Sequence, residues 1–79
     1  MVTNAELRDI RAQAVPRGVA SATGIFAMRA ENSEIWDQDG RRFIDFAGGI
    51  AVLNVGHRHP KVMLAVSEQL NRYTHTAFQ

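Results

Sequence analysis

His57 and His59 stand two apart in Gly56-His57-Arg58-His59-Pro60, and on an extended backbone both imidazoles point the same way, as a metal-ligand pair would. No third ligand stands at a matching spacing, and a histidine directly before proline reads more simply as a helix cap. No metal site is therefore expected. Asp37, Asp39 and Asp45 crowd a short stretch and could serve as paired carboxylates for acid-base work or as a calcium loop. Turn formation and hydrogen bonding to nearby backbone account for them with fewer assumptions. Lys61, the one lysine of the chain, falls in the first turn of an expected helix, where it should be solvated. A Schiff-base amine needs desolvation or another means of lowering its pKa, so Lys61 is a poor candidate. No serine or threonine has a base and an orienting group at a recognisable spacing. Residue by residue, the chain holds no complete catalytic constellation.

Gly48-Gly49 is the remaining chemical signal. Adjacent glycines permit backbone angles and close approach that a Cβ forbids, so either a ligand or another strand comes near the backbone there. Packing is the simpler of the two, since glycine within a strand-like stretch more often marks a bulge or bend. The pair does not fit a dinucleotide or P-loop fingerprint, which needs further glycines and, for the P-loop, a lysine.

The elements that must position these residues can be read in order. Thr3-Asn4-Ala5-Glu6 has capping-box spacing and should start a helix over residues 3 to 14, with Leu7, Ile10 and Ala14 on one face and Arg8, Arg11 and Gln13 solvated. Pro16 and Gly18 should end it, glycine in the left-handed cap region. Residues 19 to 33 show no firm period; a loop and a short strand over Ile25 to Ala30 are expected, with turns at Gly24 and Asn32-Ser33. A β-hairpin comes next. A two-residue turn at Asp39-Gly40 would set Gln38 opposite Arg41, Asp37 opposite Arg42, Trp36 opposite Phe43 and Ile35 opposite Ile44. A longer turn over Asp37 to Gly40, with Gly40 in a bulge, would shift that register by one. Ile50-Ala51-Val52-Leu53 is apolar on both faces, as a segment buried on two sides would be. His59 and Pro60 then open a helix to about Arg72, with Val62, Val66, Leu70 and Tyr73 in one stripe.

Composition bounds the function. The 79 residues carry nine basic and eight acidic side chains, a net charge of +1, with no basic stripe that would mark a nucleic-acid partner. With no cysteine, neither a disulfide framework nor a zinc-thiolate site is available. The N-terminus lacks the basic start and apolar core of a signal peptide, and no apolar run approaches membrane-spanning length, so a cytoplasmic protein is expected. Tyr73-Thr74-His75-Thr76-Ala77-Phe78-Gln79 ends on an apolar, aromatic-bearing segment, which reads as an interrupted chain.

Trp36-Asp37-x-x-Gly40-Arg41-Arg42-Phe43-Ile44-Asp45-Phe46, followed by Gly48-Gly49-Ile50-Ala51-Val52 and Gly56-His57-x-His59-Pro60, closely resembles the N-terminal region of class III (omega) aminotransferases, pyridoxal-phosphate enzymes of fold type I. Within that family, Gln13 to Val19, Arg29-Ala30-Glu31-Asn32 and His75-Thr76-Ala77-Phe78-Gln79 are most similar to bacterial members that act on 4-aminobutyrate. The likeness covers essentially the whole chain, and the start at Met1 matches a natural N-terminus.

The resemblance implies an α+β N-terminal segment (helix, short strand, β-hairpin, helix) of an α/β fold type I transferase. Residues 1–79 would be part of the small domain and the start of the following region, without the large cofactor-binding domain. It implies transfer of an amino group from 4-aminobutyrate to 2-oxoglutarate, with pyridoxal 5'-phosphate as the cofactor and a homodimer or higher homo-oligomer as the assembly. Ile50 matches the apolar position that borders the substrate pocket, Gln79 a polar position near it, and Gly48 and Gly49 would let the backbone approach the site. The cofactor lysine, the pyridine-binding aspartate, the phosphate-binding turn and the substrate-binding arginines belong to later parts of the family's chains, so these residues alone should be inactive, and unstable or aggregating. Two other readings stand beside this one: a non-catalytic fragment that docks on an aminotransferase subunit, and a class III enzyme for ornithine, acetylornithine or 5-aminovalerate.

Overall fold

The computed structural model describes residues 2–79; Met1 lies outside the described residues. The chain runs α1 (Asn4–Ala14), β1 (Ala27–Glu31), β2 (Glu34–Asp37), β3 (Arg42–Ile44), a short turn of helix α2 (Gly48–Ala51) and α3 (Pro60–Leu70). The strands form one antiparallel sheet in the order β1-β2-β3. This is the expected helix, strand, hairpin and helix, with the short strand paired to the hairpin's first strand.

Local chemistry fixes both long helices. The Thr3 hydroxyl accepts from the Glu6 amide and the Glu6 carboxylate accepts from the Thr3 amide, each at 3.2 Å, which satisfies donors that the first turn would leave orphaned. His59 Nδ1 accepts from the Lys61 amide at 3.2 Å, with Pro60 in the first turn. At its far end α1 stops at Ala14 because Val15 is extended and Pro16 comes next; Gly18 does not enter the left-handed region that the sequence suggested. Arg11, expected to be solvated, is half-buried and donates to the Val19 carbonyl at 2.6 Å.

The hairpin takes the longer of its two possible turns. Ile35 faces Phe43 and Trp36 faces Arg42, so the two-residue turn and its Trp36–Phe43 pairing are corrected by one position. The reason is Asp37. Its Oδ1 accepts from the amides of Asp39 (3.1 Å) and Arg41 (2.7 Å), while Gly40 sits at φ 83° in the bulge and donates to the Asp37 carbonyl. A two-residue turn could not bring those amides to one carboxylate oxygen. Across the sheet's other seam, Arg29 faces Trp36 and its guanidinium lies 3.6 Å from the ring centroid, a cation–π contact.

Among the described residues no apolar side chain is buried, and the two buried residues are polar: Asn4 and Asp37. The Asn4 side-chain amide donates to Asp37 Oδ2 at 3.0 Å, and its Oδ1 accepts from the Phe26 amide at 3.0 Å. The Arg41 guanidinium donates to the same Asp37 oxygen at 3.0 Å. This node ties α1 to the sheet. The remainder is open: the radius of gyration is 15.8 Å, against about 12 Å for a compact domain of this length.

Candidate functional site

β3 ends at Ile44, and the side chain of the next residue, Asp45, gathers three groups around its carboxylate. Asp45 Oδ1 accepts from the amides of Ala47 (3.1 Å) and Gly48 (2.9 Å), and Oδ2 lies 2.6 Å from His57 Nε2. His57 lowers the Asp45 pKa below its ordinary value of 3.8, and the Gly48 and Ala47 amides act in the same direction against the opposing effect of burial. The carboxylate is therefore ionised, and His57 Nε2 carries the proton that it accepts.

Downstream of that carboxylate the backbone is left-handed. Gly48, Gly49, Ile50 and Ala51 have φ of 53°, 64°, 62° and 61°, and the Ala51, Val52 and Leu53 amides close the turn onto the carbonyls of Ala47 and Gly48. Sequence reasoning expected Ile50 to Leu53, apolar on both faces, to be a segment buried on two sides. The Gly48-Gly49 step starts a left-handed turn instead, and it leaves Ile50 86% and Val52 69% exposed. For Ile50 and Ala51 this conformation costs about 1–2 kcal/mol each.

The loop after the turn is fastened back to the sheet. Asn32 and His57 exchange backbone hydrogen bonds of 2.9 and 2.8 Å. Gly56 makes this possible: its φ is 78°, and a Cβ there would stand 2.7 Å from the Asn32 carbonyl oxygen. Asn32, Asp45, Gly48, Leu53, Gly56 and His57 together border a cavity of about 370 Å³.

Of the residues singled out by sequence, Gly48 borders this cavity, and Gly49 and Ile50 continue the turn beside it. Gln79 stands apart at the end of an irregular, exposed segment, with no hydrogen bond to the turn among the described residues. His57 and His59 do not form a pair, since one holds Asp45 and the other caps α3. No group of three or more histidine, aspartate or glutamate side chains able to hold a metal occurs among the described residues. Asp45 and His57 were seen in the sequence but not as partners. Twelve residues separate them, and only the fold closes that gap.

The residues from 14 to 79 match the family model of "Aminotransferase class-III". The chain belongs to the class III aminotransferase family. It is 58% identical over 79 residues to the 4-aminobutyrate aminotransferase GabT of Escherichia coli (strain K12), a match that covers 100% of this chain and 18% of that protein. It is 60% identical over 77 residues to the 5-aminovalerate aminotransferase DavT of Pseudomonas aeruginosa, covering 98% of this chain and again 18% of the relative. A structure of the ornithine aminotransferase from Toxoplasma gondii, with partial occupancy of PLP at its active site, superposes with a TM-score of 0.84 at 28% identity, over 96% of this chain and 18% of that one. The chain thus spans about a fifth of the length of the relatives it matches.

The described residues do not by themselves fit pyridoxal phosphate. The cofactor needs a lysine in a desolvated pocket, whereas Lys61 is exposed in the first turn of α3. No described helix is long and apolar enough to cross a membrane.

Proposed function

We propose that this chain is the N-terminal segment of an aminotransferase that moves the amino group of 4-aminobutyrate to 2-oxoglutarate, forming succinate semialdehyde and glutamate. The observation that carries this reading is the 58% identity to a 4-aminobutyrate aminotransferase over the whole of the chain. In the complete enzyme, pyridoxal phosphate would supply the electron sink for the amino-group transfer and would be bound by residues outside this chain. These residues would contribute a wall of the substrate pocket. Ile50, exposed on its left-handed turn, would lie against the methylene chain of the amino donor. Gly48 and Gly49 would let the backbone approach the site, and Gln79 would add a polar contact near it. The small-domain segment would pack on the large domain and on a second subunit of a homo-oligomer.

A second reading has an observation of its own. The 60% identity to a 5-aminovalerate aminotransferase favours a donor one methylene longer. Steady-state kinetics of the full-length native enzyme with both donors separates the two. A single methylene in an apolar pocket is worth about 10- to 200-fold in kcat/KM, and 4-aminobutyrate is expected to be preferred. The reverse order gives the assignment to 5-aminovalerate. No transamination with either donor, or a native product of only these 79 residues, overturns the proposal and leaves an interaction fragment.

A further inference from the structure

The left-handed turn needs something to hold it. Ile50 is β-branched, and a positive φ is a conformational outlier for such a residue; it persists only where its surroundings over-determine it. Inside the turn the amides of Ala51, Val52 and Leu53 bond to the Ala47 and Gly48 carbonyls, but side-chain packing adds little. Ile50 itself is 86% exposed, and the nearest side chain that a Cβ at Gly49 would meet is Val52, from the same turn. The polar groups at its start are better placed. Asp45 receives the first two amides, Ala47 and Gly48, on one oxygen. Its other oxygen is held by His57, whose side chain is 21% exposed while that of Asp45 is 7% exposed. Both partners are anchored in turn, because the Asp45 amide donates to the Ser33 carbonyl at 2.7 Å and the His57 backbone is paired with Asn32.

We propose that Asp45 and His57 are positioning residues. They clamp the entrance of the Gly48–Ala51 turn and thereby set where the Ile50 side chain stands. Their effect is transmitted by the backbone: Asp45 fixes the direction of the Gly48 amide, and His57 fixes the rotamer of Asp45. The effect on donor selection rests on the placement of Ile50 against the donor under Proposed function; the clamp itself rests on the hydrogen bonds.

The test uses the full-length enzyme carrying D45N, H57A or H57Q. Its readout is the ratio of kcat/KM for 4-aminobutyrate to that for 5-aminovalerate, which does not change when a variant merely lowers the fraction of folded enzyme. H57A and D45N are expected to move this ratio toward one by about tenfold, the lower end of what one methylene is worth in an apolar pocket. H57Q should restore most of the wild-type ratio, since its amide nitrogen can donate to Asp45 from about the position of Nε2. A loss shared equally by both donors in H57A, with the ratio unchanged, overturns the positioning role. Amide hydrogen exchange supplies an arm independent of substrate: H57A should speed exchange at Ala51, Val52 and Leu53 while leaving β1, β2 and β3 at wild-type rates. Unchanged exchange in the turn overturns the clamp. A wild-type enzyme inactive toward both donors would overturn only the functional reading, and the exchange result would still decide the clamp.

Discussion

Two halves of this chain solve the folding problem in opposite ways. From Thr3 to Asp45 the organising interactions are directional: a capping box, the Asn4–Asp37–Arg41 node, and a hairpin whose turn closes on one carboxylate. From Phe46 onward the apolar residues stand unpartnered, with Phe46 95% and Phe78 100% exposed and the α3 stripe of Val62, Val66, Leu70 and Tyr73 open throughout. Hydrogen bonds need only a partner at the right place and angle, so a short chain can complete them internally. Hydrophobic burial needs area, and there is too little chain here to supply it. The first part is held by polar bonds that it completes internally, yet Ile10, Val19 and Met28 are also exposed, so both parts have apolar surface left to bury.

The largest effect expected from this contrast is on the chain alone. Isolated residues 1–79 should show no cooperative heat-absorption peak in calorimetry, because directional bonds at the surface of an uncovered sheet do not offset chain entropy. A sharp two-state transition would show instead that the polar interactions suffice. Within the full-length enzyme, Asn4→Ala should lower stability by about 1–3 kcal/mol, the cost of leaving buried partners unsatisfied, as read from denaturant midpoints. Gly56→Ala should fall in a similar range, about 1–3 kcal/mol for a strained backbone position, because its Cβ would press on the Asn32 carbonyl.

Acid acts on the polar interactions directly. Burial opposes the charge of Asp37, yet the Arg41 amide, the Asn4 side chain and the Arg41 guanidinium together hold its pKa below 3.8, and Asp45 is lowered as well. A carboxyl lowered in the folded state contributes stability that is present above its ordinary pKa and is lost as pH falls through the folded value. Carboxyl carbon shifts of Asp37 and Asp45 in NMR titrations should therefore have midpoints below 3.8. A midpoint at or above that value would contradict the hydrogen-bond geometry. The smallest effect belongs to the exposed Arg42–Glu34 pair, 2.8 Å apart at the sheet surface. Arg42→Gln should leave the melting temperature unchanged, as solvent screens such pairs.

Local features were legible in the sequence. The Thr3/Glu6 box, the His59 cap and Pro60 involve neighbours, so spacing alone reveals them. The existence of the hairpin was also legible, but its register was not, because it depends on how many amides Asp37 collects. The Asn4–Asp37 contact spans 33 residues and leaves no trace in spacing. Gly48-Gly49 announced an unusual backbone, and two explanations for it stood open. The left-handed path through Ile50 and Ala51 could not be read, since neither residue favours it; it is closed by amides bonding back to Ala47 and Gly48, and Asp45 holds its start from outside. Family resemblance alone singled out Ile50, and the exposure of its side chain is a property of the fold.

On the proposed reading, the open apolar surface of this chain would be covered by the rest of a class III aminotransferase. The most direct measurement grafts these 79 residues in place of the matching segment of the Escherichia coli 4-aminobutyrate aminotransferase and follows turnover of 4-aminobutyrate with 2-oxoglutarate. A soluble chimera that transaminates is expected. An insoluble chimera, or a soluble one that is inactive under conditions where the parent turns over, would contradict it.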